Sequence, residues 1–368
     1  MQRLFRFATL GIGIALVVSA CGGSTPAASN APTAPPAAAT AAATAAATAA
    51  AFDEAAEEKK LYDAAVAANE TEVNLYSSIN EQEAGPLLDI WAKKFPKIKA
   101  NYIRASESAL VSRILTEAQG GKNNFDVVAT TTSQLVAAAG LALQYFPPNA
   151  SKIPDDLKDK GGQWFSIYTN WDIVQINTSK VKKGDIKTYE DLLKPQFKGQ
   201  IVIDDTDVEF YQGLIASRGQ DKADELIRSI VKTSGVTVID GHGTVSDKVV
   251  AGEFSVALNN YVNQAERAKR QGAPTDWIAI EPVTIITAGK VATAKSAPHP
   301  NAAKVMANFL ASTDGQKYLA SRGRQITRSD VPQDPPDLLK GISKTYTAPV
   351  LSSAEQEAIT KKFKSLFK

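Results

Sequence analysis

The sequence predicts an α/β fold built as two lobes, on three observations. Strand-like and helix-like stretches alternate from residue 72 to residue 321, the pattern of sheets flanked by helices. The body that follows the N-terminal leader, about 300 residues, exceeds what one hydrophobic core usually serves. Several predicted strands run through a small polar turn straight into a helix; in open α/β sheets such turns sit at the carboxyl ends of strands, where ligands bind.

Taken in order, residues 53–68 read as a helix with Leu61, Tyr62, Ala65 and Val66 on one face. A strand at 72–76, a helix at 79–95, a strand at 100–103, a helix at 108–119, a strand at 126–129 and a short helix at 134–139 follow. Residues 164–176 make one long extended segment. Next come a helical turn at 189–193, a strand at 200–204, helices at 208–217 and 222–234, and a strand at 236–239. A helix at 246–251 and strands at 255–258, 278–281 and 283–287 precede helices at 301–312 and 315–321. The alternation points to parallel sheets. Ser78 to Glu81, Thr131 to Gln134 and Thr206 to Glu209 each fit the spacing of a capping box. The free N–H groups at such helix starts also favour anions.

The first 20 residues are a targeting segment. Arg3 and Arg6 are followed by an uncharged apolar run from Phe7 to Val18, shorter than the roughly 20 residues of a membrane span and of signal-peptide length. It ends in Val18-Ser19-Ala20-Cys21, a small-residue cleavage site before the only cysteine of the chain. A single cysteine forms no internal disulfide, so Cys21 is expected to be a lipidated mature N-terminus, anchored by a diacylglycerol and an amide-linked acyl chain. Residues 21–51, rich in Ala, Thr and Pro, have almost nothing large to bury and read as a tether. Without Arg3 and Arg6 the chain carries 39 basic and 39 acidic side chains. That balance excludes the basic footprint of a nucleic-acid binder.

Four segments carry a resemblance: Val73–Asn80 (VNLYSSIN), Trp164–Val181 (WFSIYTNWDIVQINTSKV), Thr188–Gln200 (TYEDLLKPQFKGQ) and Ser296–Gln316 (SAPHPNAAKVMANFLASTDGQ). In this order they resemble the first ligand loop, the lobe-crossing strand, the entry to the second lobe and the closing helices of type II periplasmic binding proteins. The ferric-iron-binding group of extracellular solute-binding proteins is the nearest branch. The resemblance implies a two-lobed periplasmic-binding-protein-like type II fold with mixed sheets and a hinge of crossing strands. Its parts would be an N-terminal helix at 52–70, lobe one at 71–168 and 283–330, lobe two at 169–282, and a C-terminal extension at 331–368. Lobe closure around a ligand is a hinge motion.

On the same resemblance Ser77, Ser78 and Asn80 lie in the first ligand loop. Ser78 and Thr131, with Thr130 and Thr132 beside it, could equally cap the helices that follow. Trp171 faces either the cleft or the core. Asp204, Asp205, Asp207 and Glu209 form the densest acidic cluster, and hard cations prefer such oxygen donors; Asp207 and Glu209 also suit a helix first turn. His242 lies in a loop between two glycines that allow a close ligand approach. Tyr261 matches one member of the tyrosine pair by which the ferric group holds iron, but Val262 replaces its neighbour and Asn80 stands where a histidine is common. Tyr261, Asp205, Asp207 and His242 are the candidate metal ligands, with Fe(III) as the transported ligand. Glu281 either contacts ligand or ion-pairs at the hinge.

The chain lacks the His-x-x-x-His and Gly-x-Ser-x-Gly signatures and offers no nucleophile–base set, so an enzyme is not expected. What is expected is an extracytoplasmic, monomeric lipoprotein that delivers a small-molecule or metal ligand to an ABC permease and ATPase. The alternatives are a binder of a small organic anion, phosphonate or polyamine, and a ligand sensor without transport. A permease and an ATPase encoded beside it would separate transport from sensing.

Overall fold

The chain folds as the α/β architecture expected, with the mixed sheet that the resemblance implies rather than the parallel sheets that alternation alone suggests. The computed structural model describes residues 52–368, which form one compact unit. Helix α1 (Glu54–Ala67) leads into β1 (Glu72–Ser77), α2 (Glu81–Lys94), β2 (Lys99–Arg104), α3 (Glu107–Gln119), β3 (Val127–Thr130) and α4 (Ser133–Ala138). After two 3₁₀ turns comes the long strand β4 (Phe165–Asn177). Then follow β5 (Ile201–Ile203), α5 (Val208–Arg218), α6 (Gln220–Ser234), β6 (Val236–Val238), α7 (His242–Val250), β7 (Val256–Tyr261), α8 (Val262–Arg270) and β8 (Thr275–Ile278). The chain closes with β9 (Val283–Thr293), α9 (Pro300–Leu310), α10 (Thr313–Ser321), β10 (Gln325–Ile326), β11 (Thr345–Thr347) and α11 (Ser353–Lys364).

The strands run in the order β2-β1-β3-β9-β4-β7-β5-β6, with β8 and β10 added to β4 and β11 to β9. β2-β1-β3 and β7-β5-β6 are parallel. β9 is antiparallel to β3 and β4, and β4 to β7 and β8. The position of β4 decides the architecture. Its residues from Phe165 to Trp171 pair with β9, and from Asp172 onward it pairs with β7 and β8. Nearly every β4 residue is buried on both faces, its polar side chains Ser166, Thr169, Asn170, Asp172, Gln175 and Asn177 included.

Each part of the sheet has its own core. Val73, Leu75, Trp91, Phe165, Ile167 and Phe309 pack beside the β1–β3–β9 part, with Tyr76, Phe125 and Trp164 in an adjoining cluster. Val174, Ile203, Phe210, Tyr211 and Ile230 pack beside the β5–β7 part. The C-terminal extension touches both. β11 pairs with Val283–Ile285 at the start of β9. Leu338 packs with Ile173, Val262 and Ala265. Phe363 stacks on Tyr211 with ring centroids 4.9 Å apart. The parts also meet at Gly213 of α5: a Cβ there would stand 1.8 Å from Thr284 Oγ1 of β9, so only glycine permits this approach.

Two expectations need correction, and one helix was not expected. The strand read at 278–281 ends at Ile278. The helix read at 246–251 starts at His242, so that residue is helical rather than in a loop. Residues 262–270, left unassigned, form α8; it follows β7 without a turn, and Tyr261 supplies no side-chain cap, so the usual start signal is missing. Among the described residues no helix is long and apolar enough to cross a membrane. The targeting segment 1–20, Cys21 and the tether 21–51 lie outside the described residues.

Candidate functional site

The strand order places the carboxyl ends of β1, β3, β5 and β7 around the point where β4 changes partners. There, Asp172 is the first β4 residue to pair with β7, and its cross-strand partner is Tyr261. Asp172 is 2% exposed, and neither carboxylate oxygen has a hydrogen-bond partner among the described residues. Burial, and then the like charge of Asp207, push its pKa well above the usual carboxylate range. Burial and the charge of Glu209 push Asp207 up to about 8. Two buried carboxyls that cannot both ionise are relieved by holding a proton or by meeting a cation.

The surrounding loop is built to hold this arrangement. Asp207 caps α5, accepting from Phe210 N at 3.1 Å. Asn259 Nδ2 of β7 donates to Asp204 O at 2.9 Å and to Asp207 Oδ2 at 3.2 Å, tying the β5–α5 turn to β7. Asp204 accepts from Thr206 N and from Gly241 N, each at 2.9 Å. Gly241 has φ +97°, which an L side chain rarely adopts. That turn delivers His242 to the site: its Nε2 lies 3.6 Å from Asp207 Oδ2 and 3.7 Å from Asp204 Oδ2. The imidazole packs on Tyr261 with centroids 3.7 Å apart. Its Nδ1 is buried without a partner, and burial lowers its pKa. Burial, with Asp207 and Asp172 next, raises the Tyr261 phenol well above its usual value, so it is held protonated.

The other side comes from α3, the β3–α4 turn and β9. Lys290 is 3% exposed and donates to Thr131 O at 2.6 Å and to Thr287 O at 2.5 Å. Burial lowers its pKa to about 8, against the pull of Glu209 and Glu107. Glu107 and Glu209 are themselves raised, chiefly by burial. Nearby, Arg324 grips Glu83 with two hydrogen bonds of 2.9 and 2.8 Å and lies 4.3 Å over the Tyr168 ring. Burial alone would raise Glu83, but Arg324 outweighs it and holds the carboxyl below its ordinary value.

The expected residues divide accordingly. Asp207, His242 and Tyr261 come together. Thr131 lies on the other side, its carbonyl accepting from Lys290. Ser77 is consumed at the end of β1, donating to Ala129 O at 2.7 Å, and Ser78 donates to Thr130 Oγ1 at 3.0 Å rather than capping a helix. Asn80, not Ser78, caps α2, accepting from Glu83 N at 2.9 Å. Thr132, not Thr131, occupies the α4 cap position, where its buried hydroxyl has no partner. Trp171 turns away: it packs with Ile173, Val262 and Leu338, and its indole donates to Thr169 Oγ1 at 2.9 Å. Asp205 also turns away, to Lys364 at 3.5 Å. Glu281 is exposed and accepts from Ser343 Oγ at 2.9 Å.

Of the four candidate metal ligands, Tyr261, Asp207 and His242 lie together and Asp205 does not join them. Among the described residues no group of three or more His, Cys, Asp or Glu side chains is placed to hold a metal ion. Asp172, Glu107, Lys290 and Arg324 were not singled out from sequence. A usable signal existed for Asp172 and Lys290, each a lone charge within a long buried strand. A separate cavity of about 260 Å³, lined by Tyr189, Phe210, Leu214, Arg218, Pro282 and Thr284 among others, shares no residue with the acidic group.

Residues 87–346 match the family model described as bacterial extracellular solute-binding protein. Iron uptake protein A2 of Synechocystis sp. is 24% identical over 294 residues, 73% of this chain and 82% of that protein. The substrate-binding protein of an ABC transporter from Agrobacterium tumefaciens superposes with a TM-score of 0.70 at 14% identity, covering 81% of this chain and 95% of that one. Iron-bound HitA from Pseudomonas aeruginosa gives 0.64 at 20% identity, covering 81% and 98%. With this α/β fold, the chain belongs to the bacterial extracellular solute-binding protein family and is a binding protein rather than an enzyme.

Proposed function

We propose that this protein is the lipid-anchored binding component of an ABC importer, and that it closes two lobes on a positively charged solute. The lobes are residues 71–168 with 283–330 and residues 169–282, hinged where β4 and β9 cross. The observation that carries the charge assignment is Asp172: a buried carboxylate with both oxygens unpartnered, beside Asp207. A bound cation supplies what those oxygens lack and relieves the repulsion. A permease and an ATPase then receive the solute. The working form is a monomer tethered outside the cell through residues 21–51.

Iron, which the relatives' names carry, is the second reading: Asp207, His242 and Tyr261 lie together, while Asp205 is turned to Lys364. Native mass spectrometry of freshly purified protein is expected to show a bound cation that leaves on denaturation. Small-angle scattering is expected to give a smaller radius of gyration when that solute is restored. An unchanged profile with solute demonstrably bound would overturn closure. Separately, Cys21→Ser is expected to move the protein from the detergent phase to the aqueous phase on detergent partitioning. Equal partitioning of variant and wild type would remove the anchor.

A further inference from the structure

We infer that the solute is an organic cation with N–H donors, a protonated amine, amidinium or guanidinium, seated between Asp172, Asp207 and the Tyr261 ring. This rests on the reading of the cleft as the solute site and narrows the solute's class.

Three lines converge on it. The first is donor geometry. A metal ion needs several oxygens around one point at about 2.0–2.6 Å, and the aspartates of the β5–α5 turn are already committed in different directions. Asp204 accepts from two backbone N–H groups, and Asp207 from Phe210 N and Asn259 Nδ2. Asp172, on a different element, has no donor to either oxygen among the described residues, and its polar neighbour is the carboxyl of Asp207. A two-oxygen acceptor with no donor matches a group carrying two N–H bonds, which a planar amidinium or guanidinium presents in a fork and an ammonium presents by rotation. A quaternary ammonium has no N–H and leaves those oxygens unsatisfied.

The second line is charge. Asp172 faces Tyr261 across β4 and β7, Asp204 and Asp207 flank His242, and Glu107 and Glu209 lie towards Lys290, so that with one proton shared by Asp172 and Asp207 the carboxylates still outnumber that one lysine. Arg324 is already matched by Glu83. An anionic metal chelate, or a solute whose recognised group is a phosphate or carboxylate, would enter against this field. The third line is the aromatic wall. Tyr261 lies directly opposite Asp172 in the β4–β7 register and is backed by His242. A phenol ring beside a carboxylate is a surface for the methylenes and charge of an organic cation.

Isothermal titration at pH 7.5 tests this with agmatine, putrescine, choline, ferric citrate and citrate alone, on wild type and on Asp172→Asn. Agmatine or putrescine is expected to bind wild type at least tenfold more tightly than choline, and ferric citrate and citrate not at all. Asp172→Asn is expected to weaken the amine by at least thirtyfold, and Asp207→Asn, which preserves the helix cap, by less. Choline binding as well as the amines, amine binding unaffected by Asp172→Asn, or failure of both amines overturns the inference. Ferric citrate binding with uptake of colour overturns it too. In those cases closure on whichever solute does bind still stands. Loss of closure with every solute, including one found by native mass spectrometry, is the separate outcome that removes the cleft reading itself.

Discussion

Asp172→Asn is expected to stabilise the unliganded protein while it destroys solute binding. The substitution keeps the shape and removes one of two buried carboxyls that oppose each other, the one with no donor from the protein beyond a shared proton. Relief of such a group contributes about 1–3 kcal/mol, read as a higher melting temperature. The effect depends on pH. Asp172 and Asp207 both have pKa values raised in the fold, Asp207 to about 8. The fold therefore holds protons that the unfolded chain has already released. The stability this provides is complete below about pH 4 and declines as pH rises towards about 8. Denaturant melts of the unliganded wild type are expected to lose stability between pH 5 and pH 8.5, and the loss should be smaller in Asp172→Asn. A cation must displace the shared proton, so solute affinity runs the other way and rises across the same window. A variant less stable than wild type at pH 8.5 would show that Asp172 is a structural carboxylate.

Arg324→Met is expected to destabilise the protein by about 3–5 kcal/mol, because it strands Glu83 as a buried carboxylate. Glu83 and Arg324 are 3% and 6% exposed, and no other basic side chain hydrogen-bonds Glu83. The pair ties the first turn of α2 to the strand segment at β10, 241 residues away in sequence. The cost is in the stranded charge rather than in the lost contact. The double variant Glu83→Leu with Arg324→Met is therefore expected to recover most of the stability in urea melts. If the double variant is as unstable as Arg324→Met alone, packing of Arg324 over Tyr168, not the charge of Glu83, is what the guanidinium provides.

Local chemistry made most of the elements legible. The periodicity of α1 and the long extended run of β4 are properties of neighbouring residues, and most of the expected elements formed within a few positions of their place, while α8 and the elements after residue 321 were not expected. Tyr261, Asp207 and His242 were legible as well, because they sit at strand ends and helix starts, where α/β proteins present side chains. The helix caps shifted by one or two residues, from Ser78 to Asn80 and from Thr131 to Thr132, because several adjacent polar residues could cap and only packing chose among them.

What tertiary structure alone decided was the direction in which each side chain points and the company it keeps. Adjacent residues of β4 part ways: Trp171 packs with Leu338 from the far end of the chain, while Asp172 faces Asp207 and Tyr261. Adjacent residues of the β5–α5 turn do the same, Asp204 bonding Gly241 and Asp205 reaching Lys364. Glu107 and Lys290 stand 183 residues apart in the sequence and share one field in the fold. Periodicity records which face of a strand is buried, but a charge on a buried face is set by partners brought in from elsewhere in the chain. Sequence therefore determined the fold class and the solute-binding family, and the pairing of β4 with both halves of the sheet determined that the site is acidic.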